Sequence, residues 1–351
     1  DVYKRQLHEL VFTLEANGRK IASKTIPAPA IAPGETGEIA IPHFPYQTRV
    51  GTEYILTVSL VLKQDTPWAA MGHTVAWRQF PIEQTALDKL ELVRNTGISV
   101  TKEPDAVRIA GERFSATFDP TYGMMTSLAM DDRELLADRK AVLPNLYRAP
   151  GDNDRYAKGA WSTAGLDALR PMPTHGLEIE ESIVTQARTH IKSTGNGDFH
   201  CDTSITYTFL GDGTILLDAV IAPGKETLIL PRAGLRLFLD PGLANVTWFG
   251  RGPWENYNDR KSGSPLGRHE LAVKDFFEPY VKPQFMGNRE DVRWVALRDK
   301  KGHGLVIWDA SDDQNGFAFS TLQVTDEQLA AADHPTDLKP INATVLTLDA
   351  A

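Results

Sequence analysis

Short runs of alternating apolar and polar residues, separated by turn residues, constrain the fold of this chain more than any other feature. Residues 7–15 and 18–26 form two such runs, joined through Asn17 and Gly18. An Asn-Gly pair between β-rich runs predicts a two-stranded hairpin, because both residues tolerate the positive φ of its turn. Further alternating runs follow at residues 37–41, 53–63 and 73–82. Five short strands in succession are typical of an immunoglobulin-like β-sandwich.

The same pattern of short alternating runs and turn residues resumes after a more polar segment that ends in Asn95, Thr96 and Gly97. Turn residues at such a place indicate a domain boundary, so we predict a first domain at residues 1–88, a linker at 89–98 and a second domain at 99–351. Strands are predicted in the second domain at residues 106–109, 113–118, 124–130, 204–210, 214–221, 234–239, 245–249, 292–298, 304–309, 317–321 and 343–348. So many short strands predict a large antiparallel architecture of two sheets.

Helix signals are few. Residues 325–332 begin with a threonine at a capping position and carry acids in the first turn, which predicts a short helix. A second short helix is predicted at residues 164–169. Strands nowhere alternate with amphipathic helices of about 10 to 15 residues, as a (β/α)8 barrel would require. The fold class is therefore predicted to be all-β.

Composition narrows the classes of partner. The 351 residues carry a formal net charge of −9 and no block of five or more Lys and Arg, which argues against nucleic acid. No apolar run approaches the roughly 20 residues that span a bilayer, so a membrane partner is not expected. A single cysteine, Cys201, excludes an internal disulfide and fits a reducing compartment, and we expect a cytoplasmic location. The chain begins with Asp1, which suggests a truncated start.

A loop opened by Pro150 and Gly151 places Asp152, Asn153 and Asp154 shortly after Arg148. These side-chain oxygens are of the type that binds hard cations, but the segment lacks the spaced acids and terminal Glu of a calcium loop. The other interpretation is a turn in which the Asx side chains bond to their own backbone and Arg148 pairs with an acid. No metal site is predicted.

A second motif, residues 250–260, presents Glu255 and Asp259 on a turn broken by glycines and a proline. A retaining glycosidase needs two carboxyl groups about 5 to 5.5 Å apart, and these acids are the nearest approach to such a pair. The alternative is that they pair with Arg251, Arg260 or Arg268 and hold the turn together. In a third motif, residues 280–294, Arg289 and Arg293 lie among aromatic residues, where an arginine either stacks on a sugar or closes an interface.

These three motifs together resemble the C-terminal region of the family 2 glycoside hydrolase β-galactosidases. The resemblance covers nearly the whole chain but is truncated at both ends. It implies that the second domain is a β-supersandwich of the galactose-mutarotase-like kind. It further implies that the parent enzyme hydrolyses terminal β-D-galactosides such as lactose with retention of configuration. The two catalytic glutamates, with magnesium and sodium nearby, would lie in a barrel domain that this sequence does not contain. The chain alone is therefore expected to be inactive.

The resemblance also assigns roles to particular residues. It places a loop at the rim of the substrate site, formed here by Asp152, Asn153, Asp154, Arg155 and Tyr156. The family often has an apolar residue and a glycine where this chain has Arg155 and Tyr156, and usually a glutamate where it has Phe285. Structural roles, outside the catalytic barrel, are implied for Arg148, Glu255, Asn256, Tyr257, Asp259, Arg260, Arg289 and Arg293. The implied partners are the catalytic barrel domain, a β-galactoside bound through the parent's active site, and further copies of the parent.

Other functions stay open at the level of sequence. The chain could be the small subunit of a two-chain β-galactosidase, or a free carbohydrate-binding module. A sugar epimerase would need a positioned histidine and carboxylate for general acid–base work, and His269 and Glu270 are candidates by residue type alone.

Overall fold

A computed structural model of the chain describes residues 7–32, 34–84, 97–138, 141–196, 199–224, 228–311 and 316–350. Its described residues form antiparallel sheets with few short helices, so the all-β prediction is confirmed. The chain divides into two compact units, the first comprising Asp1–Leu90 with Pro265–Arg268 and the second Glu91–Ser264 with His269–Ala351. Most of the predicted linker, residues 89–96, lies outside the described residues.

The first unit contains a four-stranded sheet. Its strands are β1 (His8–Ala16), β2 (Arg19–Pro27), β3 (Glu53–Leu62) and β4 (Thr74–Gln84), in the spatial order β2-β1-β3-β4. Asn17 and Gly18 both have positive φ, 48° and 70°, and the predicted hairpin between β1 and β2 is confirmed. One face of the sheet buries Leu10, Phe12, Leu14 and Leu56 together with Phe44.

The strand predicted at residues 37–41 is wrong, because this segment is not hydrogen-bonded into a sheet. It runs directly into Pro42, followed shortly by Pro45. A proline has no N–H to donate to a neighbouring strand, and two so close together prevent the segment from forming a ladder.

The rest of the chain contains four further sheets. Its strands are β5 (Ser99–Lys102), β6 (Val107–Ala110), β7 (Phe114–Asp119), β8 (Met124–Met130), β9 (Arg133–Glu134), β10 (Leu143–Asn145), β11 (Arg170–Glu181), β12 (Thr185–Thr194), β13 (His200–Phe209), β14 (Ile215–Pro223), β15 (Gly234–Leu239), β16 (Asn245–Arg251), β17 (Leu266–Ala272), β18 (Arg289–Val292), β19 (Trp294–Arg298), β20 (Gly304–Trp308), β21 (Phe317–Leu322) and β22 (Thr344–Ala350). Every strand predicted for this part of the chain is present. The one predicted at residues 292–298 overlaps two strands, β18 and β19, which are separated at Arg293.

The strand orders of these sheets are β5-β6-β7-β8-β9, β11-β12-β13-β14, β17-β16-β19-β20 and β10-β15-β22-β21-β18. In the last of these, β22 lies at the centre and pairs antiparallel with β15 on one side and β21 on the other. The core between the sheets is rich in aromatic side chains, and Phe118, Tyr207, Phe209, Trp248 and Phe319 are almost completely buried.

Helices are short, as the sequence predicts. The predicted helix at residues 325–332 is confirmed as α2 (Asp326–Ala331), and Thr325 and Gln328 form a reciprocal capping box before it. The helix predicted at residues 164–169 is present as a single 3-10 turn, Leu166–Ala168. An α-helix that the sequence does not predict, α1 (Lys158–Ala164), ends just before it, because Gly165 adopts a left-handed φ of 67°. No helix among the described residues is long and apolar enough to cross a membrane.

Candidate functional site

The loop after β10 is held at its base by Arg148 and Asp154. Two guanidinium nitrogens of Arg148, Nη1 and Nη2, each donate to one oxygen of Asp154 at 2.7 Å, so the ion pair is bidentate. Arg148 Nε donates to the carbonyl of Pro231 at 3.2 Å, and Asp154 Oδ2 also accepts from the N–H of Gly151 at 2.8 Å. This arrangement is the turn held by an arginine–acid pair that the sequence offers as one interpretation.

Beyond this base the chain forms a 3-10 turn, Asp152–Tyr156, that contains the rim-loop residues implied by the resemblance. Asp152, Asn153, Arg155 and Tyr156 are exposed, and Tyr156 as a whole residue is 87% accessible. The Arg155 guanidinium lies 4.8 Å from the ring centre of Tyr156. The loop therefore has a fixed base and a polar, aromatic tip in the unit as described.

Sequence reasoning missed a buried charge network next to this loop. Arg232 is only 7% exposed and pairs with Asp326 at 3.0 Å and with Asp349 at 2.8 Å. Arg236 pairs with Glu327 at 2.8 Å. Asp326 uses its other oxygen to accept from the N–H of Ala149, at 3.1 Å, which ties the network to the loop. One feature of the sequence indicates this network: Arg236 lies inside the otherwise apolar strand β15.

Phe285 lies between the loop and this network. Its ring centre is 5.3 Å from the Arg148 guanidinium and 4.8 Å from that of Arg232, and both distances are typical of cation–π contacts. The ring of Tyr257 meets it edge-on at 5.3 Å. The backbone N–H of Phe285 donates to the carbonyl of Ala149 at 3.1 Å. Phe285 occupies the position where the resemblance leads one to expect a glutamate.

Glu255, the first of the two candidate acids, is buried and fully partnered. Its carboxylate accepts from Arg260 Nη2 at 2.7 Å, from the Tyr257 hydroxyl at 2.9 Å and from the N–H of Gly287 at 3.1 Å. The Tyr280 hydroxyl donates to it as well. Burial raises the pKa of Glu255, but these hydrogen bonds lower it more, and the net shift is downward.

These contacts argue against a catalytic pair. The acid of a glycosidase needs a raised pKa so that it still carries its proton near neutral pH, and Glu255 is shifted the other way. Asp259 is exposed and is not among the hydrogen-bond partners of Glu255. The tyrosines stay protonated and act as donors, because burial and the charge of Glu255 raise the pKa of both, that of Tyr280 to about 12.

Two further motif residues, Asn256 and Arg289, are buried and contact other parts of the same unit. Asn256 is fully buried; its Oδ1 accepts from the N–H of Glu290 at 2.8 Å and its Nδ2 donates to the carbonyl of Trp254 at 2.9 Å. Arg289 is 1% exposed and lies against the rings of Trp248 and Phe276, at 5.4 and 4.6 Å. Burial lowers the pKa of Arg289 to about 10, so it keeps its charge at neutral pH.

Arg293, like Arg289, contacts both the backbone and an aromatic ring. Its Nη1 donates to the carbonyl of Asp291 at 2.6 Å, and its guanidinium lies 5.7 Å from the ring centre of Phe249. Both contacts lie within the second unit.

His269 and Glu270 do not form an acid–base couple. They are consecutive residues of β17, and successive side chains of a strand point to opposite faces of the sheet. His269 is half-buried, with its ring 5.2 Å from that of Trp248, whereas Glu270 is exposed. The described residues also contain no group of three or more His, Cys, Asp or Glu side chains arranged to hold a metal ion, and the Asp152–Asp154 segment is no exception.

Two families match this chain. The family described as beta galactosidase small chain matches residues 110–351, and that described as beta-galactosidase, domain 4, matches residues 4–83. The beta-galactosidase of Priestia megaterium is 31% identical over 306 residues, covering 86% of this chain and 29% of the relative. That of Lactobacillus delbrueckii subsp. bulgaricus is 33% identical and covers 88% and 29%. That of Vibrio cholerae is 27% identical and covers 97% and 33%. The chain thus spans no more than a third of the length of these relatives, and it matches their C-terminal part.

Proposed function

Because the chain belongs to the β-galactosidase small-chain family, we propose that it is the non-catalytic C-terminal part of a β-galactosidase that hydrolyses terminal β-D-galactosides such as lactose. It contributes scaffold, subunit contacts and one rim of the active site. The observation that carries this proposal is the match of nearly the whole chain to only the C-terminal part of much longer beta-galactosidases.

The geometry of the motifs favours a structural role for their residues over a catalytic one. Glu255 is an ionised acceptor held by two tyrosines and an arginine, so its oxygens are already engaged. Retaining hydrolysis needs one carboxyl group as acid and base and a second as nucleophile. We assign both to a barrel domain outside this chain, together with magnesium and sodium ions, and assign no step to a metal held by the residues described here.

The rim is assigned to the loop Asp152–Tyr156. Its base is fixed by Arg148 and Asp154, and its exposed tip offers a carboxylate, an amide and an aromatic ring. Carboxylate and amide groups bond to sugar hydroxyls, and an aromatic face packs on the apolar face of a sugar. A loop with a rigid base and an exposed tip is suited to closing over a substrate. The whole enzyme is proposed to be a cytoplasmic homo-oligomer.

The test is hydrolysis of a chromogenic β-galactoside by three samples: the purified chain, a barrel-bearing fragment of a relative that lacks this region, and the two mixed. We expect no turnover by either part alone and turnover on mixing. Turnover by the chain alone would contradict the proposal and direct attention to Glu255 and Asp259. Silence of the mixture, with binding between the two parts demonstrated, would contradict the rim assignment.

A further inference from the structure

Two cations share the ring of Phe285. Arg148 belongs to the base of the rim loop, and Arg232 to the buried charge network. Their guanidinium carbons lie 5.3 and 4.8 Å from the ring centre. Like charges so placed repel each other, and the negative π-face of an aromatic ring offsets that repulsion where an aliphatic side chain of similar size would not.

The backbone around Phe285 holds the same loop from a second direction. Its N–H donates to the carbonyl of Ala149, one residue after Arg148. The preceding residue, Gln284, packs so closely on Gly151 that a methyl group there would come within 3.2 Å of Gln284 Oε1. The carbonyl of Phe285 accepts from the Tyr257 hydroxyl at 3.4 Å, which links this segment to the Glu255 cluster.

From these contacts we infer that Phe285 is a positioning residue: its ring, shared between Arg148 and Arg232, holds the base of the loop Asp152–Tyr156 in place. In this role Phe285 acts through Arg148. The consequence for catalysis rests on the proposed function, since it requires that this loop form a rim of the substrate site. The structural part of the inference stands on the chain alone.

The structural part is tested by amide hydrogen exchange on the 351-residue chain, comparing wild type with Phe285→Leu and Phe285→Tyr. Phe285→Leu keeps most of the apolar volume and removes the π-face, whereas Phe285→Tyr keeps the ring. We expect Phe285→Leu to speed exchange of the amides of Gly151, Asp154 and Ala157 by about tenfold, as two partly desolvated cation–π contacts are lost. Phe285→Tyr should leave them near the wild-type rates.

A matched control is Phe277→Leu, the same change at a half-buried phenylalanine that packs against the core of the same unit. It should leave the loop amides unchanged. Equal rates in wild type and Phe285→Leu would overturn the inference. So would equal acceleration by Phe285→Leu and Phe285→Tyr, because the ring would then not be what holds the loop.

The catalytic part is read from the mixture of the chain with the barrel-bearing fragment. A loop that must be ordered anew in each binding event weakens binding of substrate and transition state alike, so KM should rise about threefold to tenfold while kcat changes little. Faster loop exchange with an unchanged KM would overturn the link to the substrate site and leave the rest of the proposed function intact. Absence of any activity on mixing, with binding between the two parts demonstrated, would overturn the rim assignment of the proposed function, and the exchange data would still decide whether Phe285 holds the loop.

Discussion

Arg148 and Asp154 form a bidentate ion pair across the base of one loop, with both N–O distances at 2.7 Å. The side chains are 23% and 12% exposed, so the pair is only partly screened by water. Because Asp154 Oδ2 also accepts from the N–H of Gly151, one carboxylate closes the loop through both a side chain and the backbone.

We therefore expect Asp154→Asn to lower the free energy of unfolding by about 1 to 3 kcal/mol, since an amide can accept from only one side and its NH₂ group would face Arg148. The change is measured by urea titration, with unfolding monitored through tryptophan fluorescence. Asp152→Asn is the matched control in the same turn, where the exposed side chain predicts a change within about 0.5 kcal/mol. Equal effects of the two substitutions would show that Asp154 does not anchor the loop.

Glu255 predicts a pH-dependent contribution to stability. Its pKa in the folded chain lies below the ordinary value of about 4.3, since its hydrogen bonds outweigh the effect of burial. A group of this kind stabilises the fold above its unfolded pKa and loses that contribution as the pH falls through its folded pKa. At neutral pH we expect Glu255→Gln to cost about 1 to 3 kcal/mol, since the hydroxyls of Tyr257 and Tyr280 and the N–H of Gly287 lose a charged acceptor.

The check is the difference in unfolding free energy between wild type and Glu255→Gln as a function of pH. It should be constant from about pH 8 to pH 5 and shrink below about pH 4. Asp259→Asn, at the exposed acid of the same motif, should show neither effect. A difference that grows on acidification would reverse the sign of the pKa shift inferred from the structure.

How far the sequence predicts this fold depends on how local each signal is. Asn17 and Gly18 predict their hairpin, and Thr325 predicts the start of α2, because each of these residues bonds to or shapes its own neighbours. Strand β12 was missed although its burial alternates, since its inward positions include Thr185, Thr189 and Ser193 as well as apolar side chains. A pattern search weighted by hydrophobicity does not recognise polar residues that face a core.

In the candidate site, too, contacts between residues close in the sequence could be predicted and contacts between distant residues could not. The pairing of Arg148 with an acid six residues later could be proposed from the turn itself. The contact of Arg232 with Asp349 joins residues 117 positions apart, and it exists only because β22 is inserted beside β15. Sequence spacing carries no information about which distant strands become neighbours, so the buried network and the place of Phe285 beside it required the structure.

Arg232 predicts a second pH effect, through an acid whose pKa is shifted in the opposite direction to that of Glu255. It is the buried counter-charge of both Asp326 and Asp349, and burial already raises the pKa of Asp349 despite that contact. Removing one partner of a buried ion pair leaves an uncompensated charge, so Arg232→Leu should cost about 3 to 5 kcal/mol at neutral pH.

In the Arg232→Leu variant Asp349 loses its cation, and its folded pKa, already raised by burial, rises further above the unfolded value. Such groups stabilise the fold below the unfolded pKa, and that contribution is lost as the pH rises through the folded value. The deficit relative to wild type should therefore shrink on acidification from about pH 8 to pH 5. Thermal unfolding at a series of pH values measures the deficit, and a deficit independent of pH would mean that Asp349 finds another partner.

Alanine substitutions at Gly165 and Gly302 separate the cost of a left-handed backbone from the cost of a steric clash. Gly165 ends α1 with φ of 67°, and a Cβ there would lie 2.5 Å from the backbone nitrogen of Asn196. Gly302 has a similar conformation, with φ of 88°, but a Cβ would meet no atom within 4 Å. Gly302→Ala should therefore cost about 1 kcal/mol for the left-handed backbone alone. Gly165→Ala should cost clearly more, because the opposing atom is backbone and cannot move aside without displacing the main chain at Asn196. Urea titrations of the two variants give the comparison, and equal costs would show that residues 165 and 196 are not in close contact.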